Sequence, residues 1–215
     1  MNNAEDKDAP RVGVGPWVGA LPTDSHYDLE LLQNGDYRNV IDKYRYWKME
    51  AIVADLDTHR NSFHIAIENL EHDFNIGSIV RTANALLAKE IHIIGKRRWN
   101  RRGAMVTDRY QHIRHHEDFE SFNSWRQSED LVLVGIDNIE GSVPIETYQM
   151  PKDCILLFGQ EGPGLTEEAR LKVDVCLAIT QFGSTRSMNA GAAAAIAMHM
   201  WVMQHVFSKP PYRTD

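Results

Sequence analysis

The sequence predicts an α/β fold in which a mostly parallel sheet is flanked by helices and preceded by a short helical extension. Two observations support this class. From Ser62 onward, short apolar segments alternate with longer segments of helical periodicity. The short segments are apolar throughout rather than at every second residue, which is typical of parallel strands covered by helices on both faces.

The N-terminal extension is predicted to span residues 1–61. Residues 1–24 are polar and then rich in glycine and proline, and we expect them to be mobile. A first helix is predicted from Asp24, a good N-cap residue, to Gly35, a typical helix end. A second is predicted over 36–60, because apolar residues recur there at helical spacing. These residues are Val40, Ile41, Tyr44, Trp47, Ala51, Ile52 and Leu56.

The main domain is predicted to span residues 62–208, followed by a tail over 209–215. Strands alternate with helices along this domain, as in βαβ units. The predicted strands cover residues 63–67, 91–94, 131–136, 155–158 and 175–179. The predicted helices cover residues 76–89, 118–127, 166–172 and 188–207.

The composition is that of an ordinary globular protein, with 43% hydrophobic and 25% charged residues. The two cysteines, Cys154 and Cys176, lie in apolar segments without C-x-x-C spacing, which argues against a disulfide framework. The acidic N-terminus lacks the basic and apolar parts of a signal peptide. The longest apolar stretch, 190–206, is interrupted by polar residues, so no membrane span is predicted. We therefore expect a cytoplasmic protein.

The charge is distributed unevenly. The chain carries a net charge of −7, but residues 96–116, called the basic segment below, hold seven Lys or Arg and one acid. The rest of the chain therefore carries a net charge of −13. Such a segment is either a solvated loop or a focused polyanion-binding site, with Trp99 and Tyr110 as possible stacking groups for RNA bases. Its candidate RNA-binding residues are Arg97, Arg98, Arg101, Arg102, Arg109 and Arg114.

The histidines do not predict a metal site. His112, His115 and His116 have no acid or cysteine at ligand spacing, so RNA contacts or solvated positions fit them better. His64 and His92, among others, form no pattern along the chain. We expect no metal.

The first segment of functional interest is Asn75–Arg81 (NIGSIVR), which opens a predicted helix. Asn75 stands where an N-cap would be, and Gly77 and Arg81 lie one turn apart, away from the apolar stripe. Gly77 would let a substrate approach the backbone, while Arg81 would bind a phosphate or ribose. The alternative is a surface arginine in a helix capped by an asparagine.

The second segment is Gly159–Gly164 (GQEGPG), which directly follows the strand predicted over 155–158. Ligands bind at this end of strands in open α/β sheets. The spacing is neither G-x-G-x-x-G nor a P-loop. Glu161 suits a ribose hydroxyl or a sulfonium-bearing ligand better than a phosphate. The alternative is a plain tight turn.

The third segment is Ser187–Ala195 (SMNAGAAAA), where a polar loop leads into an alanine-rich helix. Either Ser187 or Asn189 can cap this helix. The free amides of its first turn would attract polar or anionic groups. The alternative is simply a capped and closely packed helix.

In this order, the three segments resemble the motifs of the SpoU/TrmH family of S-adenosylmethionine-dependent RNA ribose 2′-O-methyltransferases, in the SPOUT superfamily. The resemblance covers about residues 63–207. It implies a C-terminal trefoil knot, a homodimer with the active site at the interface, and methyl transfer without a metal. It also implies catalytic roles for Asn75, Arg81, Glu161, Ser187 and Asn189. The implied cofactor contacts come from Phe158, Gly159, Gly162, Gly164, Ile179 and Met188.

The short helical extension is more similar to that of the transfer-RNA members, which favours tRNA over rRNA as the substrate. Two other functions remain open. A noncatalytic RNA-binding protein would use the basic segment but would not need Arg81, Glu161, Ser187 and Asn189 together. A small-molecule enzyme would use the glycine-rich loop for a nucleotide and would not need the basic segment.

Overall fold

The computed structural model describes residues 13–69, 75–160, 162–185 and 187–207. They fall into two compact units, one ending at Thr58 and one beginning at His59. Among the described residues, no helix is both long enough and apolar enough to cross a membrane.

The described part of the first unit, residues 13–58, contains two short α-helices. The first, α1, spans Leu29–Asn34 and is capped by the carboxylate of Asp28. The second, α2, spans Met49–Asp57, and Asp42–Tyr44 form one turn of 3-10 helix between them. The prediction of a continuous helix over 36–60 is therefore wrong.

A buried carboxylate and a left-handed residue prevent that continuous helix. Tyr46 has a φ of 63°, in a region that a right-handed helix does not use. Its amide donates to Oδ2 of Asp36 at 2.9 Å. Asp36 is fully buried and is paired with Arg38 at 2.6 Å. The helical spacing of apolar residues in this stretch thus reflects burial around a series of turns.

In the residues that the structure describes, the second unit is built on one seven-stranded sheet in which all neighbouring strands run parallel. This confirms the predicted α/β class. The strands are β1 His64–Asn69, β2 Ile91–Gly95, β3 Ile113–His116, β4 Val132–Ile136, β5 Val143–Pro144, β6 Cys154–Phe158 and β7 Val175–Ala178. Their order across the sheet is β3-β2-β1-β6-β4-β7-β5.

The two edge strands, β3 and β5, were not predicted. β3 has the polar sequence IRHH, and β5 consists of two exposed residues ending in Pro144. Edge strands are commonly short or polar, so they lack the continuous apolar run that revealed the other five. The basic segment is consequently not one loop, because its last four residues belong to β3.

Helices cover both faces of the sheet: α3 Ile76–Ala85, α4 Phe119–Ser128, α5 Glu167–Lys172 and α6 Ala190–His205. Side chains of successive strand residues point to opposite faces. On one face, Ile65 and Ile67 share a core with residues of α3 and α6. On the other face, Ala66 shares a second core with residues of α4 and α5.

Three histidines from separate strands form a buried row. Nδ1 of His64 lies 3.0 Å from Nε2 of His92, and Nδ1 of His92 lies 3.0 Å from Nε2 of His116. Burial lowers the pKa of all three imidazoles. The three histidines form no pattern in the sequence, because consecutive members lie 28 and 24 residues apart and only the pairing of strands brings them together.

Candidate functional site

A cleft of about 540 Å³ lies at the carboxyl ends of the neighbouring strands β6, β4 and β7. This is the edge at which open α/β sheets bind ligands. The volume is within the range of roughly 300–1,000 Å³ for small-molecule sites. The cleft brings together these residues selected from the sequence: Phe158, Gly159, Gly162, Gly164, Ile179, Ser187, Met188 and Asn189.

The glycine-rich loop after β6 is closed on itself. Gln160 and Gly164 exchange two backbone hydrogen bonds of 3.0 Å. A Cβ atom on Gly159 would lie 2.1 Å from the carbonyl carbon of Gly164. A Cβ atom on Gly164, whose φ is +73°, would lie 2.5 Å from Oδ2 of Asp137. The loop therefore needs both glycines for its own closure, and this closure shapes one wall of the cleft.

Two carboxylates, from the strands on either side of β6, hold the far end of this loop. Glu68 of β1 accepts hydrogen bonds from the Thr166 amide at 3.0 Å and from its hydroxyl at 2.5 Å. Asp137, directly after β4, accepts from the Leu165 amide at 3.0 Å. Glu68 is only 1% exposed, and burial raises the pKa of its carboxyl. The loop is thereby fixed to both β1 and β4.

The first and third segments meet through two asparagines. Oδ1 of Asn189 caps α6 by accepting from the Ala192 amide at 3.1 Å. Nδ2 of the same side chain donates to Oδ1 of Asn75 at 2.8 Å. The helices also approach closely here, since a Cβ on Gly191 would lie 2.6 Å from Oγ of Ser78. The N-termini of α3 and α6 therefore lie side by side.

Two details of the first segment differ from the predictions. Asn75 occupies the N-cap position of α3, but its side chain makes no capping hydrogen bond, because it is bound to Asn189 instead. Gly77 is buried, and a Cβ there would lie 2.8 Å from Gly103 Cα and from the Ala104 amide nitrogen. The backbone that approaches Gly77 thus belongs to the chain itself and not to a substrate.

Arg81 lies on the exposed side of α3, one turn after Gly77, as the sequence predicts. It does not line the cleft. Glu161, the other charged residue with a predicted catalytic role, lies outside the described residues.

The basic segment leaves β2 and passes through two turns of 3-10 helix to reach β3. Tyr110 is 8% exposed, so its predicted stacking role is contradicted by its burial. Arg114 is held at the sheet, because its Nε donates to Glu90 Oε1 at 2.9 Å and its guanidinium lies 4.9 Å from the Trp125 ring centre. All six candidate arginines are nevertheless exposed: Arg97, Arg98, Arg101, Arg102, Arg109 and Arg114.

Four polar residues from outside the three segments also line the described cleft. Asp137 and Asn138 follow β4 directly. A polar pair immediately after a buried apolar strand was a usable signal, because that position lies at the ligand-binding edge. Gln181, in the polar stretch after β7, carries the same signal. Arg170 of α5 does not, since only the folded chain brings it to the cleft.

Comparison with known proteins identifies the family. The model of the SpoU rRNA Methylase family matches residues 62–199. The chain is 33% identical over 91 residues to a tRNA (guanosine(18)-2′-O)-methyltransferase of Saccharomyces cerevisiae, covering 42% of this chain and 6% of that protein. It is 20% identical over 138 residues to the Escherichia coli K12 enzyme of the same name, covering 63% and 60%. The matches thus span less than two thirds of either relative.

A solved structure shows the same fold. The SpoU methyltransferase AviRb of Streptomyces viridochromogenes, in complex with the cofactor AdoMet, matches with a TM-score of 0.63 and 24% identity, covering 72% of this chain and 62% of that one. Because the family model matches more than half of the sequence, the chain belongs to the SpoU rRNA Methylase family.

Proposed function

We propose that the protein transfers a methyl group from S-adenosylmethionine to a ribose 2′-hydroxyl of structured RNA, with tRNA favoured over rRNA. The observation that carries this proposal is the convergence of the three segments. The glycine-rich loop and the Ser187–Asn189 stretch line one cleft, and Asn189 is hydrogen bonded to Asn75 of the first segment. Family membership supports the same reaction.

The residues of the cleft fit S-adenosylmethionine. Its apolar lining, which includes Phe158, Ile179 and Met188, suits an adenine ring. Asp137 and Asn138 add polar groups beside that lining, as orientation of a polar cofactor requires. When bound, S-adenosylmethionine supplies an electrophilic methyl group for transfer to a hydroxyl oxygen. The residues proposed to hold the cofactor are Phe158, Gly159, Gly162, Gly164, Ile179 and Met188.

Arg81 is proposed to act on the RNA. A guanidinium has a pKa of about 12.5–13.8 and remains protonated, so it cannot take the proton of the 2′-hydroxyl. It can stabilise the negative charge that develops on that oxygen and bind the adjacent phosphate. Its place on the exposed side of α3 suits contact with a large substrate.

The remaining catalytic candidates are proposed to orient the ribose. Asn75 and Asn189 are held by their mutual hydrogen bond, and Ser187 lies two residues from Asn189 at the same cleft. Glu161 completes the set implied by the family. Correct orientation contributes much to such a reaction, since effective molarity alone is worth about 7–11 kcal/mol.

The preference for tRNA rests on the relatives. Both curated relatives described above are named tRNA (guanosine(18)-2′-O)-methyltransferases. The exposed arginines of the basic segment provide cations for the phosphates of a folded RNA. The same arginines are the observation that favours the second candidate, a noncatalytic RNA-binding protein.

A methyl-transfer assay separates the two candidates. The protein is incubated with S-adenosylmethionine carrying a labelled methyl group and with total RNA, which is then divided into tRNA and rRNA. We expect label in the tRNA fraction, in dinucleotides that resist alkali because their 2′-hydroxyl is blocked. Cofactor binding is measured in parallel by calorimetry.

Each outcome of this assay decides one point. Label in rRNA alone would overturn the tRNA preference but support the reaction. Label on a base would contradict ribose methylation. Absence of cofactor binding, together with retained RNA binding, would replace the proposal by the noncatalytic candidate.

A further inference from the structure

A second constellation of polar side chains lies at the amino ends of β1 and β2, opposite the strand ends that form the cleft. His64 is the first residue of β1, and Glu90 directly precedes β2, which contains His92. The register Ile65–Ile91 places His64 opposite Glu90. Since residues two apart share a face of a strand, Glu90 and His92 face His64 on the same side.

The distances among these three side chains suit a bound metal ion. Nδ1 of His64 lies 3.0 Å from Nε2 of His92, which lies 3.9 Å from Oε2 of Glu90. One potential ligand atom from each residue lies within 4.8 Å of the other two. Two ligands at 2.0–2.1 Å from a tetrahedral zinc ion are themselves about 3.3 Å apart. The separations of 3.0 and 3.9 Å lie on either side of this value, and the third pair of ligand atoms, at most 4.8 Å apart, would close by at most about 1.5 Å around a zinc ion.

We propose that His64, Glu90 and His92 form a binding site for a divalent transition metal of the Zn²⁺ class. Two imidazoles and one carboxylate are a known ligand set for zinc, with a water molecule in the fourth position. The Glu90 side chain is 18% exposed, which gives an ion and a water molecule access from solvent. Nitrogen ligands favour transition metals over Mg²⁺ and Ca²⁺, which prefer oxygen.

His116 and Arg114 contact one atom each of His92 and Glu90 and leave the other ligand atom of each available to an ion. Nδ1 of His92 lies 3.0 Å from Nε2 of His116, and a proton on that Nδ1 leaves the lone pair of His92 Nε2 for a metal. Oε1 of Glu90 accepts from Arg114 at 2.9 Å, which leaves Oε2 for the ion. Such outer partners commonly orient the ligands of protein metal sites.

An unpartnered nitrogen gives independent support. His64 is 3% exposed, and its Nε2 has no hydrogen-bond partner among the described residues. A buried polar atom without a partner costs about 1–3 kcal/mol. Nδ1 of the same ring faces His92 Nε2 at 3.0 Å, so Nε2 can carry the proton of the imidazole while Nδ1 offers its lone pair to an ion.

Zinc titration of the full, tag-free chain tests the site. The protein is stripped with a chelator and then titrated with Zn²⁺ against a chromogenic competitor. We expect one tightly bound Zn²⁺ per chain, and affinity at least about a hundredfold lower in His64→Gln and Glu90→Gln. His115→Gln is the matched control, because His115 is exposed on β3 and lies outside the proposed ligand set.

A second measurement keeps the test decisive if a buried-histidine variant fails to fold. Co²⁺ replaces Zn²⁺ in the unmodified protein, and its visible absorption reports the coordination geometry. Intense bands of a tetrahedral site are expected, and Glu90→Gln, at a partly exposed position, should alter them. Absence of stoichiometric Zn²⁺ binding, or unchanged affinity in folded Glu90→Gln protein, would overturn the proposal. Neither readout depends on methyl transfer.

Discussion

At the residue scale, Asn189 shows what sequence can and cannot reveal about the site. Its role as the cap of α6 was predictable, because an asparagine before an alanine-rich run is a local pattern. Its hydrogen bond to Asn75 was not, because the two residues lie 114 positions apart. From the sequence, Asn75 therefore resembles an N-cap of α3. In the structure, its Oδ1 instead accepts the hydrogen bond from Asn189 that joins α3 to α6.

Arg81 is the residue whose replacement tests the proposed chemistry most directly. Arg81→Ala should lower the rate of methyl transfer by roughly 10²–10³-fold, the loss typical of removing one group that stabilises an oxyanion. Affinity for S-adenosylmethionine should remain nearly unchanged, because Arg81 does not line the cleft. Single-turnover rates and calorimetric cofactor binding measure the two effects separately.

Two further variants sharpen this test. Arg81→Lys keeps the charge but loses the planar fork, so it should recover only part of the rate. Lys89→Ala removes an exposed cation beyond the end of α3 and should leave the rate unaltered. Full activity of Arg81→Ala would remove Arg81 from the reaction.

At the element scale, apolar strands were predictable and turns with buried polar anchors were not. The five strands between the edges of the sheet carry continuous apolar runs, so their sequence identifies them. In the first unit, helical periodicity over 36–60 was misleading. The buried carboxylate of Asp36 binds the amide of Tyr46, and such tertiary contacts override local spacing.

The basic segment is the element proposed to bind RNA phosphates. Arg101→Glu combined with Arg102→Glu should weaken RNA binding and flatten its dependence on salt, because fewer counterions are released when fewer cations meet phosphates. Both side chains are exposed, so the fold should persist. Filter binding of tRNA at several salt concentrations gives the slope.

The control for this variant carries the same change in charge at another place. Lys152→Glu combined with Lys172→Glu reverses two exposed lysines outside the basic segment. This control should reduce affinity less and keep the original salt slope. Equal slopes in both double variants would show that only net charge matters and that the basic segment is not the RNA contact.

At the scale of the whole molecule, strand order was beyond the reach of the sequence. β6 lies between β1 and β4, although β4 precedes it in the chain. Local periodicity identifies strands but holds no information about which of them pair. The same limit applies to the trefoil knot that the family resemblance implies, which stays a prediction here.

The homodimer implied by the family can be tested through α6. This helix leaves apolar side chains at the surface, with Ile196 and Met203 39% and 46% exposed and two turns apart on one face. Exposed apolar faces of this kind commonly mark contacts between proteins.

We expect light scattering at micromolar concentration to give twice the chain mass for the unmodified protein. The double variant Ile196→Glu with Met203→Glu should give the mass of a single chain. Leu171→Glu, which places the same charge at a 78% exposed position on α5, should leave the dimer intact. A monomeric unmodified protein that still methylates RNA would contradict an active site shared between two chains.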